Sequence, residues 1–395
     1  MKTDRTMKWL GMALLAIGML SPRFFIIRPN RIVDGVMLGS PQALEGSFLV
    51  VISLCLVMLI SIFITNRFAS SLACLVASVL AVGIVILRAV HLSGTLSSQQ
   101  FSDNVTVLNP ALSLSMGFYL VLIGLFFMVR ASLLDLTKRR WSANLLAMCG
   151  FFFFGFFLAY TERLDHISIY IEMSRNWSSI WYELGRHLKL SLFSAMVGLV
   201  ISIGLGIWAY RQKNFENIIF KLINFAQVVP TLSLLALFMI PLTYLSNHFE
   251  WVKAMGISGI GFAPAFIVLV LYSLLPITSN ILTSLKSTEP EIMESARGMG
   301  MTESQILWKV QFPLSIKPMF AGFRLATLQA IGNCILAGLI GGGGLGSLIF
   351  LGLAQSAPDM VLGASFMVVA VAAIADLMLR SGEHLISLKF RGSYD

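Results

Sequence analysis

Charge is scarce in this chain. Asp, Glu, Lys and Arg make up 12% of its 395 residues, about half the share of a typical soluble protein. So few charges cannot clothe a water-exposed surface, and a soluble globular enzyme is excluded. Cysteine is scarce too. Cys55, Cys74, Cys149 and Cys334 all lie inside apolar runs with no C-x-x-C spacing, so they read as small buried hydrophobes with no disulfide or metal role. His91, His166, His187, His248 and His384 are scattered and form no ligand cluster, so no metal is expected. No glycine-rich loop ends in Gly-Lys-Ser/Thr, and the chain therefore lacks an ATP site of its own. No nucleophile–base–acid set is visible, so no catalytic residue is assigned and the chain is read as a non-enzyme. Ionisable residues are missing from the runs at 47–65, 110–129, 143–160 and 262–284. Without a carboxylate relay in the spans, proton coupling is disfavoured.

What fills the chain is hydrophobic: 57% of residues, with a mean hydropathy of +0.84. The apolar runs predict an all-α, polytopic membrane protein of about ten spans, near 1–20, 47–65, 68–87, 110–129, 143–160, 188–209, 218–245, 262–284, 318–340 and 361–380. An uncleaved first span is expected, because no small-residue cleavage site follows at Ser21-Pro22-Arg23-Phe24. The span at 218–245 carries Pro230 and Pro241 and should be kinked or broken. Residues 161–187 read as a polar linker or surface helix. Arg324 is expected to snorkel, and Asp376 to pair with Arg380 four residues on. The formal charge of +9 sits mostly beside span ends, which fits membrane orientation. Nucleic acid is not expected as a partner, since no basic stripe with interleaved aromatics appears. If the stretch at 287–317 is cytoplasmic, so are the basic segments 1–8, 130–142, 211–217 and 380–395, and both termini face the cytoplasm. Arg23, Arg28 and Arg31 dissent.

The stretch at 287–317 is the most informative. Thr288-Glu289-Pro290-Glu291 predicts a capping box and a helix start, with Ile292, Met293, Ala296 and Met299 on one face. Gly298 and Gly300 should end that helix. Thr302-Glu303-Ser304-Gln305 predicts a second, short helix with Ile306, Leu307 and Val310 inward and Pro313 stopping it. Two short helices at a glycine turn form a knob suited to a groove on a soluble partner.

This stretch resembles the signature loop of the permease subunits of binding-protein-dependent ABC importers: Glu-Ala-Ala, three residues, Gly, nine residues, then Ile-x-Leu-Pro. Here it reads Glu294-Ser295-Ala296, Gly300, then Val310-Gln311-Phe312-Pro313. The resemblance implies a type I ABC importer permease core over residues 181–388. In it Glu294, Ser295, Ala296, Gly300, Val310, Phe312 and Pro313 would contact a separate ATPase. Residues 1–180 would be an N-terminal membrane region of about five helices plus a linker. Gln227-Val228-Val229-Pro230-Thr231-Leu232-Ser233, Gly261-Phe262-Ala263-Pro264-Ala265, Leu271 to Ile277 and the run Leu339 to Gly346 resemble the branch importing glycine betaine, choline and related osmoprotectants. The resemblance further implies two ATPase subunits, a second permease (a copy or a paralogue) and a periplasmic substrate-binding protein, in the bacterial inner membrane. ATP would be used by the partner, with no cofactor in this chain. An aromatic cage selecting a quaternary ammonium by cation–π attraction would belong to the binding protein, and Tyr272, Phe262 and Trp251 are candidates for lining this chain's substrate pathway. Methionine permeases share the glycine run and the loop pattern, so another small solute is an alternative. An ion-driven secondary carrier is a further one.

Overall fold

Apolar runs in a bilayer satisfy their backbone by coiling, and helices dominate the structure. It is a computed structural model that describes residues 2–28, 35–64, 67–95, 98–102, 105–108, 111–137 and 167–391. Among these, seven helices are long and apolar enough to cross a membrane, and eight if one bent pair is counted as a span. A shorter apolar helix, Thr6–Leu20, accounts for the first expected span. The expected span at 143–160, with Cys149 and the basic residues Lys138, Arg139 and Arg140, lies outside the described residues. The chain divides into two units, Met1–Arg175 and Asn176–Asp395.

The first unit contains α1 (Lys2–Leu20), α2 (Ser40–Leu44), α3 (Phe48–Phe63), α4 (Arg67–Thr95), α5 (Met116–Thr137) and α6 (Ser168–Arg175). Its tightest seam joins α1 to α5 through Gly11 and Gly18 on one helix and Gly117 and Gly124 on the other. A Cβ at Gly124 would stand 2.7 Å from the Gly11 carbonyl oxygen, and one at Gly18 2.8 Å from that of Gly117. Small residues let helix backbones touch where lipid offers no hydrophobic drive. Lys8 is buried beside this seam. Its Nζ donates to Asp135 Oδ2 at 2.8 Å and to Ser71 Oγ at 3.2 Å, tying α1, α4 and α5 together. The connections at one end of the unit form sheets that the hydropathy pattern does not show. Strand β1 (Phe25–Arg28) pairs antiparallel with β2 (Val36–Leu38) and with a later strand, Ala111–Leu114, while Ser98–Ser102 and Val105–Leu108 form a separate hairpin. Phe24, Phe25 and Phe118 pack ring on ring beside the three-stranded sheet.

The second unit runs α7 (Trp177–Arg211), α8 (Lys213–Val228), α9 (Thr231–His248), α10 (Glu250–Ala254), α11 (Phe262–Lys286), α12 (Pro290–Gly298), α13 (Glu303–Ile306), α14 (Phe312–Asn333), α15 (Leu345–Ala354) and α16 (Pro358–Arg391). Helix α11 is the most enclosed of the membrane-length helices. On α7, Gly198 and Gly206 press against Ser273 and Ile281 of α11, and Gly322 of α14 sits against the Pro276 carbonyl. Of the stretch at 161–187, expected to be a linker or surface helix, residues 168–175 and 177–187 are helical, and α7 starts at Trp177. Ile180, His187, Leu190 and Ser191 recur at helical spacing on its buried face and carry the helix into the span. The bent pair is α8 and α9, which meet at 105°. Pro230 makes that break, whereas Pro241 lies inside α9 without ending it. Backbone freed at the break is covered from α11. Tyr272 Oη donates to the Val229 carbonyl at 2.5 Å, and Gln227 Nε2 to the Tyr272 carbonyl at 2.6 Å.

The glycine run wraps the first turns of α7. Gly341, Gly343 and Gly344 take positive φ values of 73°, 80° and 88°. The Gly344 N–H donates to Glu183 at 2.6 Å, and Arg186 donates to the Gly341 carbonyl at 3.3 Å. Arg324 is held by two carboxylates. It pairs with Glu383 at 2.8 Å and Asp376 at 3.5 Å, while Asp376 also holds Arg380 at 2.7 Å.

Candidate functional site

Residues 287–317 form an elbow. Helix α12 opens with Pro290 in its first turn, where the missing N–H goes unneeded. The expected Thr288 capping box does not form. Glu289 takes the cap position without a side-chain bond, and Thr288 Oγ1 has no partner. At the other end the Met301 N–H bonds the Ala296 carbonyl and the Gly300 N–H bonds that of Arg297. That pair is a Schellman closure, with Gly300 at φ 79° in the left-handed position it requires. The second capping box does form. Thr302 Oγ1 accepts from the Gln305 N–H at 3.3 Å, and Gln305 Oε1 accepts from the Thr302 N–H at 2.9 Å. An exposed ion pair, Arg297 to Glu303 at 2.8 Å, spans the glycine turn. It raises the Arg297 pKa, first through the hydrogen bond and then through the charge.

Pro313 does not stop the second helix. Leu307–Gln311 form a π turn, closed by the Phe312 N–H on the Leu307 carbonyl. The wider turn makes room for a proline ring that an α turn would drive into the preceding carbonyl. The helix therefore continues from Glu303 to the end of α14, and with the 3₁₀ segment Cys334–Ile340 forms one membrane-length rod of 38 residues.

Ala296, Ile306 and Leu307 are buried and hold the elbow's interior, as the spacing predicts. Glu294, Ser295 and Gly300 are exposed, and Val310, Phe312 and Pro313 are half-buried. An open depression of about 370 Å³ lies on the surface, lined by Glu289, Glu291, Ile292, Ser295, Ala296, Met299 and Val310. Three of the signature positions thus share one apolar-floored hollow with carboxylates at its rim. Gln311, which sequence reasoning left unassigned, is buried behind it. Its Nε2 donates to Tyr210 Oη at 2.6 Å and also meets Met293 Sδ at 3.1 Å and the Leu285 carbonyl at 3.4 Å. The only signal for it was a polar residue two positions before Pro313, between Val310 and Phe312.

These positions fall within a matched region. The family of binding-protein-dependent transport system inner membrane components matches residues 198–384. The glycine betaine/carnitine/choline transport system permease protein OpuCB of Bacillus subtilis is 34% identical over 217 residues, which are 55% of this chain and 93% of that protein. The chain belongs to the binding-protein-dependent ABC transport permeases. Residues 4–170 match the N-terminal domain of the ABC transporter permease YehY. The osmoprotectant import permease protein OsmW of Salmonella typhimurium is 34% identical to this permease over 55% of its chain and 94% of OsmW. A chain of the methionine ABC transporter MetNI, solved in inward-facing conformations, aligns over 51% of this permease and 95% of itself, at 20% identity and a TM-score of 0.42.

The candidate pathway residues are not brought together. Tyr272 is buried and spends its hydroxyl on the helix break. Phe262 opens α11, ten residues earlier and about 15 Å along the axis. It stacks on Phe266, which stacks on Phe193 of α7. Trp251 is exposed on α10 beside Phe249.

Proposed function

We propose that this permease is the membrane subunit of an ATP-driven importer for glycine betaine, choline, carnitine or related quaternary ammonium solutes. It works with two copies of a separate ATPase, a second permease and a periplasmic binding protein, in the bacterial inner membrane. The elbow carries the reading. It offers a hollow at the surface and runs without interruption into a membrane-length rod. A displacement of α12 and α13 therefore has a continuous helical path into the spans. The names of the relatives support the solute class. The basic segments on one side of the spans support a cytoplasmic elbow. Closure of the ATPase pair on ATP carries the elbows with it, and the spans behind them rock between inward and outward access. Rigid-body coupling of this kind requires ATP and substrate to favour different states.

The test is uptake in proteoliposomes holding the permease, its ATPase and its binding protein. Labelled glycine betaine should enter only with ATP inside the compartment that holds the ATPase. Uptake driven by an ion gradient with no ATPase present would refute the proposal.

A further inference from the structure

The elbow's own polar bonds stay inside it: the Thr302 box, the Schellman closure and the Arg297–Glu303 pair. Gln311 is different. It is 2% exposed and stands at the last position of the π turn. Its single amide nitrogen faces three other helices. Tyr210 lies in the last turn of α7, Leu285 in the last turn of α11, and Met293 in α12 of the elbow. The Leu285 carbonyl belongs to the terminal group of a helix that lacks partners within that helix. A buried amide is expensive to leave unpaired, so the arrangement is held as a unit or abandoned as a unit. The π turn supplies the alternative. It holds one residue more than an α turn, and relaxing it would rotate the side chains beyond it by about 100°. That rotation would take the amide away from Tyr210.

We infer that Gln311 is the positioning residue that latches the elbow to α7 and α11, so that movement of the elbow is passed to the spans rather than absorbed at the π turn. This rests on the proposed function and adds to it a specific site of transmission. Gln311 touches neither nucleotide nor solute in this account. Its loss should therefore alter the ratio of transport to hydrolysis and leave hydrolysis itself in place.

The experiment uses the full complex in proteoliposomes and reads glycine betaine taken up per ATP hydrolysed. Gln311→Leu keeps the volume and removes the amide. It should co-purify with the ATPase at the wild-type ratio, hydrolyse ATP within about two-fold of wild type, and lose at least about ten-fold in uptake per ATP. Tyr210→Phe removes one hydroxyl and should lower the same ratio in the same direction. The double variant should be no worse than Gln311→Leu alone, because the two act through one bond. An unchanged ratio in Gln311→Leu overturns the inference, as does a proportional fall in uptake and hydrolysis, which would mark a structural role only. Should Gln311→Leu fail to assemble, Tyr210→Phe decides alone, and an unchanged ratio there overturns the inference. A wild-type complex that never couples uptake to ATP removes the functional reading and this inference with it. A coupled wild type with a coupled Gln311→Leu removes the inference alone.

Discussion

The two units share seams of small residues and differ in what else holds their helices. In the first, α1 meets α5 backbone to backbone along Gly11, Gly18, Gly117 and Gly124, and a half-buried ion pair, Lys8 to Asp135, fixes the register. Such a seam has no slack. The second unit also uses small residues around α11, and it adds polar contacts where helices break or widen. Tyr272 and Gln227 serve the break at Pro230, and Gln311 serves the π turn. The polar contacts of the first unit's seam lock regular helices, whereas the second unit ties regular helices through Arg324 and His187 and braces irregular ones as well.

Substitutions can break this contrast, the largest first. Gly124→Leu should destabilise the first unit by more than about 3 kcal/mol, because neither backbone can retreat. Gly83→Leu, on a helix face with no neighbouring atom within 4 Å, should stay within about 0.5 kcal/mol. Unfolding in detergent, read from a label in the first unit, measures both. Lys8→Met should cost about 1–3 kcal/mol, because half-buried Asp135 keeps only the Ser71 hydroxyl, and pairing it with Asp135→Leu should restore most of the loss. Gly300→Val should cost about 1–2 kcal/mol through the left-handed backbone. It should weaken co-purification with the ATPase and leave unfolding of the first unit unchanged. Tyr272→Phe should cost about 0.5–1.5 kcal/mol and appear as faster hydrogen exchange at the Pro230 break. Arg297→Ala, on an exposed pair, should leave unfolding within error. If Tyr272→Phe proved costlier than Lys8→Met, the contrast between the units would be inverted.

Much of the second unit can be read in the sequence. The elbow's helices, its glycine turn and its second capping box follow from residue type and spacing alone, as does the break at Pro230. The π turn does not. Pro313 signals a stop, and only the backbone shows that one extra residue per turn lets the helix pass. Gln311 was illegible for the same reason, since its value depends on three helices distant in sequence. In the first unit the glycines stand seven apart on α1 and again on α5, a spacing that keeps one helix face and could have been noticed. The sheet could not, because strands of three to five residues leave almost no alternation to see.

The central claim is that force made in another polypeptide enters through the elbow from the cytoplasmic side. Met299, 75% exposed beside the hollow, allows a direct test. In a variant with Cys55, Cys74, Cys149 and Cys334 replaced, Met299→Cys is labelled with a membrane-impermeant maleimide in inside-out and right-side-out vesicles, with and without the ATPase. The account predicts labelling only in inside-out vesicles, and protection when the ATPase is bound. Labelling from the outer face, or labelling that the ATPase leaves unchanged, would contradict it.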